Sequence, residues 1–215
     1  MVKDKTGLLI WDWNGTLLDD TAYCYSIANE MRRERGMPLL DGVDAYRTVF
    51  RFPIIEYYRA MGYTFEKESY EDISVEFVQR YADNVAACPL QPQVRETLGA
   101  VKARGLSQIL LSATGQDRLD EQIDLFGLRG YFDAVLGQVD NLAYGKTGRA
   151  RAFMEGSGLA PAEVLFVGDT DHDYEVASAL GCRAALLNAG HQLPQTLFSC
   201  GVPVISSLPE VLSLL

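Results

Sequence analysis

Short, nearly uninterrupted apolar runs recur along this chain at residues 8–11, 108–111, 134–136, 164–167 and 184–187, with a weaker one at 202–205. Runs this short, without polar alternation, predict strands covered on both faces. Between them lie segments of helical period at 93–104, 117–126, 148–155 and 174–180. Each is followed by a glycine (Gly105, Gly127, Gly156 and Gly181), the expected signal for a helix end. Strand and helix in alternation predict a doubly wound α/β core built on a parallel sheet.

Residues 20–89 break that rhythm. They offer helical segments at 21–35, 44–50, 54–61 and 69–87, punctuated by Gly36, Pro38, Pro53, Gly62 and Pro89, and no convincing strand. The simplest reading is an all-helical insertion after the first strand. The core is then 1–19 together with 90–215, the inserted helical domain is 20–89, and the connections lie near Asp19 and Leu90.

Composition narrows the function classes. The 215 residues carry a formal net charge of -10, which disfavours nucleic acid and anionic lipid as general partners. An anionic ligand would need a local cation, either a metal or a lysine. The four cysteines, Cys24, Cys88, Cys182 and Cys200, form no CxxC pair, so free thiols are expected rather than a disulfide framework. No secretory leader or membrane-spanning apolar run is visible, and the expected compartment is the cytoplasm.

In open parallel sheets, ligands bind beyond the carboxyl ends of the strands. Asp12-Trp13-Asn14-Gly15-Thr16 follows the first apolar run, Ser112 and Thr114 the second, and Gly168-Asp169-Thr170-Asp171-His172-Asp173 the fourth. Lys146 lies past the third, where Gly145-Lys146 opens a helix. One sheet edge thus receives a carboxylate, a hydroxyl, a lysine and an acidic cluster.

In order and context these residues resemble the four motifs of the haloacid dehalogenase superfamily: Asp12-x-Asn14-Gly15-Thr16, Ser112, Lys146 and Gly168-Asp169-x-x-x-Asp173. Any one of them is common; all four in order, each after an expected strand, are specific. The resemblance spans the chain, since the helical insertion stands where that superfamily carries its first cap. Motif layout and cap type are most similar to the phosphoglycolate-phosphatase-like subgroup, which includes sugar-phosphate hydrolases.

The resemblance implies a Rossmann-like core and hydrolysis of a small phosphorylated metabolite. Asp12 would be the nucleophile, dividing one hard step into two through an aspartyl-phosphate. Mg2+, which prefers oxygen ligands, would be held by Asp12, Asp169 and the backbone carbonyl of Asn14, with Asp173 acting through water or as an orienting group. Lys146 would neutralise Asp12 and the transferring group. The Ser112 hydroxyl and turn amides near Gly15 and Ala113 would bind phosphate oxygens. In the cap, Arg47 or Arg51 would pair with an anionic part of the substrate, since a guanidinium fork suits carboxylate or phosphate. The dehalogenase branch needs no metal and so no Asp169–Asp173 pair. The phosphonate-cleaving branch needs a cap lysine, and Lys67, the only one in that region, sits between Glu66 and Glu68.

One position departs from the pattern. Most phosphatases of this superfamily carry a second aspartate two residues after the nucleophile, to protonate the leaving oxygen; this chain has Asn14. General acid–base help is worth about 10²–10⁴-fold. Three readings follow: substrates with good leaving groups, another proton source (His172, His191 or a cap residue), or a weakened enzyme that chiefly binds a phosphorylated ligand. A fourth is that the Asn14-Gly15 dipeptide deamidates and yields the aspartate after synthesis.

Overall fold

The computed structural model describes residues 6–138 and 146–215. Its six strands are β1 (Leu8–Trp11), β2 (Ser107–Gly115), β3 (Ala134–Gln138), β4 (Val164–Gly168), β5 (Arg183–Leu187) and β6 (Val204–Ile205). They form one sheet in the order β3-β2-β1-β4-β5-β6, and every pairing is parallel. The expected α/β class with a doubly wound parallel sheet is observed. β1 lies between β2 and β4, and all its residues are buried, as its unbroken apolar run requires.

Alternate residues of the strands feed two separate apolar clusters. Leu9, Trp11, Leu110, Leu165 and Val167 belong to one; Leu8, Ile10, Ile109, Leu111, Val164 and Phe166 to the other. The strands therefore point successive side chains to opposite faces, and helices cover both. Two buried indoles keep their polar atoms satisfied. Trp11 donates to Gln108 Oε1 at 3.0 Å and Trp13 to Gln122 Oε1 at 2.6 Å.

The helices of the core are α5 (Val94–Ala103), α6 (Gln116–Leu125), α7 (Lys146–Ser157), α8 (Asp171–Leu180) and α9 (Pro194–Phe198). Two sequence expectations move. Gly156 lies inside α7, whose end comes at Gly158 with φ 70°; at position 156 the helix tolerates a glycine. α8 starts at Asp171 rather than 174, because Thr170 and Asp173 close a capping box at its N-terminus.

Residues 21–87 are helical wherever they are regular: α1 (Thr21–Glu34), α2 (Val43–Val49), α3 (Ile54–Ala60) and α4 (Tyr70–Asn84), the last followed by a 3₁₀ turn at Val85–Ala87. They own an apolar cluster of Ile27, Met31, Tyr46, Tyr57, Tyr58 and Ile73. The chain leaves and re-enters the sheet region through two strands of backbone held side by side: Asp19 N–H donates to the Pro89 carbonyl at 2.9 Å and Gln91 N–H to the Leu17 carbonyl at 2.9 Å. Among the described residues, no helix is long and apolar enough to cross a membrane.

Candidate active site

Asp12 follows directly on β1, and its N–H donates to the Val167 carbonyl of β4 at 2.9 Å. That bond fixes the residue at the carboxyl edge, one strand away from the β4–α8 turn that carries Asp169 and Asp173. Oxygens of Asp12, Asp169 and Asp173 all lie within 4.8 Å of one another, and all three residues are buried. Lys146, at the start of the described α7, reaches across to this group. Its Nζ donates to Asp12 Oδ1 at 2.7 Å and also to Asp173 Oδ1. Gly145, expected to open this helix, lies outside the described residues.

The turns are shaped so that these carboxylates fit. A Cβ on Gly15, whose φ is +73°, would stand 2.3 Å from Asp169 Oδ2; one on Gly190 would stand 2.1 Å from the same oxygen. One on Gly168 would lie 2.2 Å from Asp173 Cγ. No side chain is tolerated at these distances, so glycine is demanded by the approach of backbone to carboxylate. Asp169 is then held by Thr16 Oγ1 at 2.9 Å and by the His191 amide at 2.6 Å. Asp173 Oδ2 accepts from the amides of Asp169 and Thr170, each at 3.1 Å, and from Thr170 Oγ1 at 2.8 Å. With its other oxygen on Lys146, Asp173 has both oxygens engaged by protein donors, which suits an orienting group better than a direct metal ligand.

Burial pushes the Asp12 carboxyl up to about 8 even though Lys146 opposes it, and Asp173 and Asp169 add repulsion. Burial likewise raises Asp169 to about 6; His191 opposes and Asp173 reinforces the shift. Burial also acts on Asp173, but Lys146 and the Thr170 donors outweigh it and hold its carboxyl low. Lys146 itself is raised despite burial, by Asp12 and Asp173. Of three close carboxylates, Lys146 is thus bonded to two, and the third, Asp169, faces His191. The excess negative charge and the all-oxygen donor set fit a hard divalent cation such as Mg2+, which takes oxygen ligands and keeps several waters.

Asn14 sits beside this group with its amide fully used. Its Nδ2 donates to Asp20 Oδ2 at 2.8 Å and to Tyr81 Oη at 2.7 Å. Its Oδ1 accepts from Thr114 Oγ1 at 2.9 Å and from Ser112 Oγ at 3.4 Å. Asp20 is the hub of a further network: it accepts from the Gly15 amide at 2.9 Å and from Tyr81 Oη at 2.6 Å, and it meets His191 Nε2 at 3.1 Å. Burial would lower His191, but Asp20 reverses the effect and carries it up to about 9. Its other ring nitrogen meets Tyr46 Oη at 2.8 Å.

Several expected residues are placed differently. The Gly15 amide, read as a phosphate donor, is taken by Asp20 because that carboxylate reaches back over the turn. Ser112 and Thr114 lie within β2 rather than past its end, since the strand resumes pairing at Gly115↔Gln138 after a register shift. Arg47 does not enter the cavity: it donates to the Gly190 carbonyl at 2.8 Å and the Ala189 carbonyl at 2.9 Å, clamping α2 to the loop after β5. Arg51 is exposed and bonds to the carbonyls of Val49 and Thr48 in its own turn. His172 stacks on Phe52 with centroids 4.4 Å apart and pairs with Glu175 at 3.1 Å. Asp171 exchanges hydrogen bonds with Gln192.

The residues that sequence reasoning missed are Asp20 and Tyr81. Asp20 is the first residue of the expected insertion and Tyr81 lies in its 69–87 helical segment; only the fold brings them to Asn14. A cavity of about 740 Å³ opens over the whole group, bordered by Asp12, Asn14, Ala113, Lys146 and Asp169 on the sheet side and by α2–α4 on the other.

Comparison with known proteins identifies the family. The family model described as haloacid dehalogenase-like hydrolase matches residues 9–187. A phosphoglycolate phosphatase of Pseudomonas aeruginosa is 27% identical over 192 residues, covering 86% of this chain and 70% of that protein. One from Chromobacterium violaceum is 28% identical over 196 residues, covering 87% of each. Among solved structures, a haloacid dehalogenase-like family hydrolase from Streptococcus pneumoniae superposes with a TM-score of 0.82 at 17% identity, over 97% of this chain and 98% of that one. A predicted phosphoglycolate phosphatase from Haemophilus somnus does so at 0.80 and 18% identity, over 100% and 99%. The chain belongs to the haloacid dehalogenase-like hydrolase family and is similar, within it, to phosphoglycolate phosphatases.

Proposed function

We propose that this chain is a magnesium-dependent phosphatase that hydrolyses a small phosphomonoester through an aspartyl-phosphate on Asp12. The observation that carries the reading is the buried triangle of Asp12, Asp169 and Asp173, within 4.8 Å, bridged by Lys146. Asp12, Asp169 and the backbone carbonyl of Asn14 are the residues to hold the ion, with Asp173 behind them. Bound there, Mg2+ supplies the positive charge that lets an anionic carboxylate approach an anionic phosphate.

The chain's own groups do the rest. Lys146 donates directly to Asp12 and opposes the upward push of burial, so that together with the bound ion it favours the charged, nucleophilic carboxylate. An Asp12 oxygen attacks phosphorus, the bond from phosphorus to the alcohol oxygen breaks, and the electron pair leaves with that oxygen. Water then attacks phosphorus, inorganic phosphate departs and the Asp12 carboxylate is regenerated. The Ser112 hydroxyl, turned from its 3.4 Å contact with Asn14 Oδ1, which Thr114 still satisfies, and the Ala113 amide are the donors for phosphate oxygens, and Gly15 provides the room for close approach. Residues 20–89 act as a cap over the core of 1–19 and 90–215, excluding water while the aspartyl-phosphate forms. The relatives make phosphoglycolate and sugar phosphates the first compounds to try.

The second reading, a slow enzyme that mainly binds its ligand, is favoured by the Asn14 amide, whose every hydrogen-bonding site is matched by a neighbour. The test for both is a phosphomonoester panel graded by leaving-group pKa, with Mg2+ and with a chelator. Turnover that needs Mg2+ is the expected result; metal-independent turnover, or phosphate-ester binding with no turnover at all, contradicts the phosphatase reading.

A further inference from the structure

The cavity above Asp12 is far larger than a two-carbon acid needs, and its outer walls are aromatic. From Asn14 outward, one wall is α4: Tyr81, whose hydroxyl touches the Asn14 amide, then Phe77, stacked on Tyr81 with ring centroids 6.3 Å apart and planes at 15°. Phe50, Phe52 and Tyr57 also line the cavity, and Val78 and Leu125 carry the apolar lining out to solvent, where they are 42% and 61% exposed. The cap apolar cluster does not absorb these last two.

The charges near Asp12 run against a carboxylate-bearing leaving group. The nearest ionised group beyond Asn14 is the buried Asp20. His191 is already engaged by Asp20 and Tyr46, Lys146 by Asp12 and Asp173, and Arg47 by two carbonyls. Arg118 borders the cavity from an exposed position on α6, with Glu121 on the same helix.

A second, independent observation concerns the proton. Asn14 cannot protonate a leaving oxygen, and its amide is saturated by Asp20, Tyr81, Ser112 and Thr114. A leaving group that departs as a stable anion removes that need. A phenol has a pKa of about 10, several units below the roughly 15.7 of water, which an alkyl alcohol resembles. Its ring also suits an aromatic wall, where ring pairs gain about 0.5–1.5 kcal/mol beyond burial.

We infer that the substrate is a small aryl phosphomonoester, its ring lying against Tyr81 and Phe77 and its phenolic oxygen on the Asn14 side. This rests on the phosphatase reading and names its substrate class. As the Asp12–phosphorus bond forms, the bond from phosphorus to the phenolic oxygen breaks. The phenolate leaves with the electron pair and takes its proton from solvent after departure.

The test compares 2-naphthyl phosphate, 2-naphthylmethyl phosphate, ethyl phosphate and 2-phosphoglycolate on the full chain with Mg2+. The naphthylmethyl and ethyl esters share an alkyl leaving oxygen and differ in the ring, so their KM ratio isolates ring recognition from reactivity. The expected result is at least a tenfold lower KM for naphthylmethyl than for ethyl phosphate, and the highest kcat/KM on naphthyl phosphate, 100-fold or more above 2-phosphoglycolate. Phe77→Ala, and separately the surface change Val78→Asp should the first not fold, lower the naphthylmethyl-to-ethyl preference at least fivefold. Equal KM values for the two alkyl esters, or 2-phosphoglycolate as the best substrate, overturn the aryl assignment while leaving a phosphatase. Hydrolysis of none of the four overturns both.

Discussion

Asn14 donates its side-chain amide to the carboxylate of Asp20 across 2.8 Å. Asp20 is completely buried, and a neutral donor at position 14 is what its environment accepts. The amide is therefore built into the site rather than an incidental replacement.

Asn14→Asp sets two carboxylates face to face across that gap, and one proton must be shared between them. The folded pKa of the new pair is raised above its unfolded value. The variant's stability relative to wild type is thus highest below the ordinary carboxylate range and falls as pH rises above it. The shared proton is also the one a poor leaving group needs, so turnover of alkyl phosphates rises by about 10²-fold or more while aryl phosphates change little. Steady-state kcat across the leaving-group series checks this; an unchanged alkyl rate would show that protonation does not limit turnover.

The proposed metal dependence carries a pH signature. Asp12 and Asp169 have folded pKa values of about 8 and about 6, above the ordinary 3.8. Their contribution to metal-free stability is full below about pH 4 and fades through about pH 8. His191 adds a second loss from about pH 6.5 through about 9. Asp20 and Asp173 are lowered, so theirs is present above the ordinary carboxylate pKa and lost in acid. A bound cation competes with the protons on Asp12 and Asp169. The gain in Tm from Mg2+ should therefore be larger near pH 8 than near pH 6. At 100-fold over Kd, ligand linkage contributes about 2.7 kcal/mol, or roughly 5–11 °C for a chain of this size. Equal shifts at both pH values, read by differential scanning fluorimetry, would contradict the carboxylate site.

Lys146→Met removes the only lysine bonded to Asp12 and Asp173 among the described residues. Loss of one such charge-stabilising contact costs about 10²–10³-fold in kcat. The Asp173 carboxyl, held low chiefly by Lys146 against burial, rises at the same time. Rates within tenfold of wild type would place Lys146 outside the chemistry.

Gly190→Ala tests the backbone cradle around Asp169. The added methyl would stand 2.1 Å from Asp169 Oδ2, so the loop after β5 or the carboxylate must move. Stability falls by about 1–3 kcal/mol, as for overpacked sites, and the apparent Kd for Mg2+ weakens at least tenfold. Calorimetric titration with Mg2+ reads both the affinity and the fraction of competent protein.

The sheet was legible in the sequence because each buried strand is a bare apolar run: β1 is predicted and found at Leu8–Trp11. The charged candidate-site residues were legible for a different reason: Asp12 and Asp169 lie just past such runs, while Lys146 and Asp173 lie in the first turn of the helices that follow. What was not legible depends on contacts across long separations. Asp20 and Tyr81 are 61 residues apart in the chain and meet at 2.6 Å; neither carries a local signal of function. The Arg47 clamp was not legible for the same reason: its partners, the carbonyls of Ala189 and Gly190, are more than a hundred residues away. The extension of β2 through Ser112 escaped because the apolar run stops at Leu111, whereas pairing resumes after a register shift at Gly115.

The proposed chemistry depends on phosphate passing through Asp12. Rapid acid quench during turnover of an aryl phosphate, followed by peptide mass analysis, reads it directly. A phosphoryl group on the peptide containing Asp12 in wild type, absent in Asp12→Asn together with hydrolysis, is the predicted result. Undiminished hydrolysis by Asp12→Asn would contradict it.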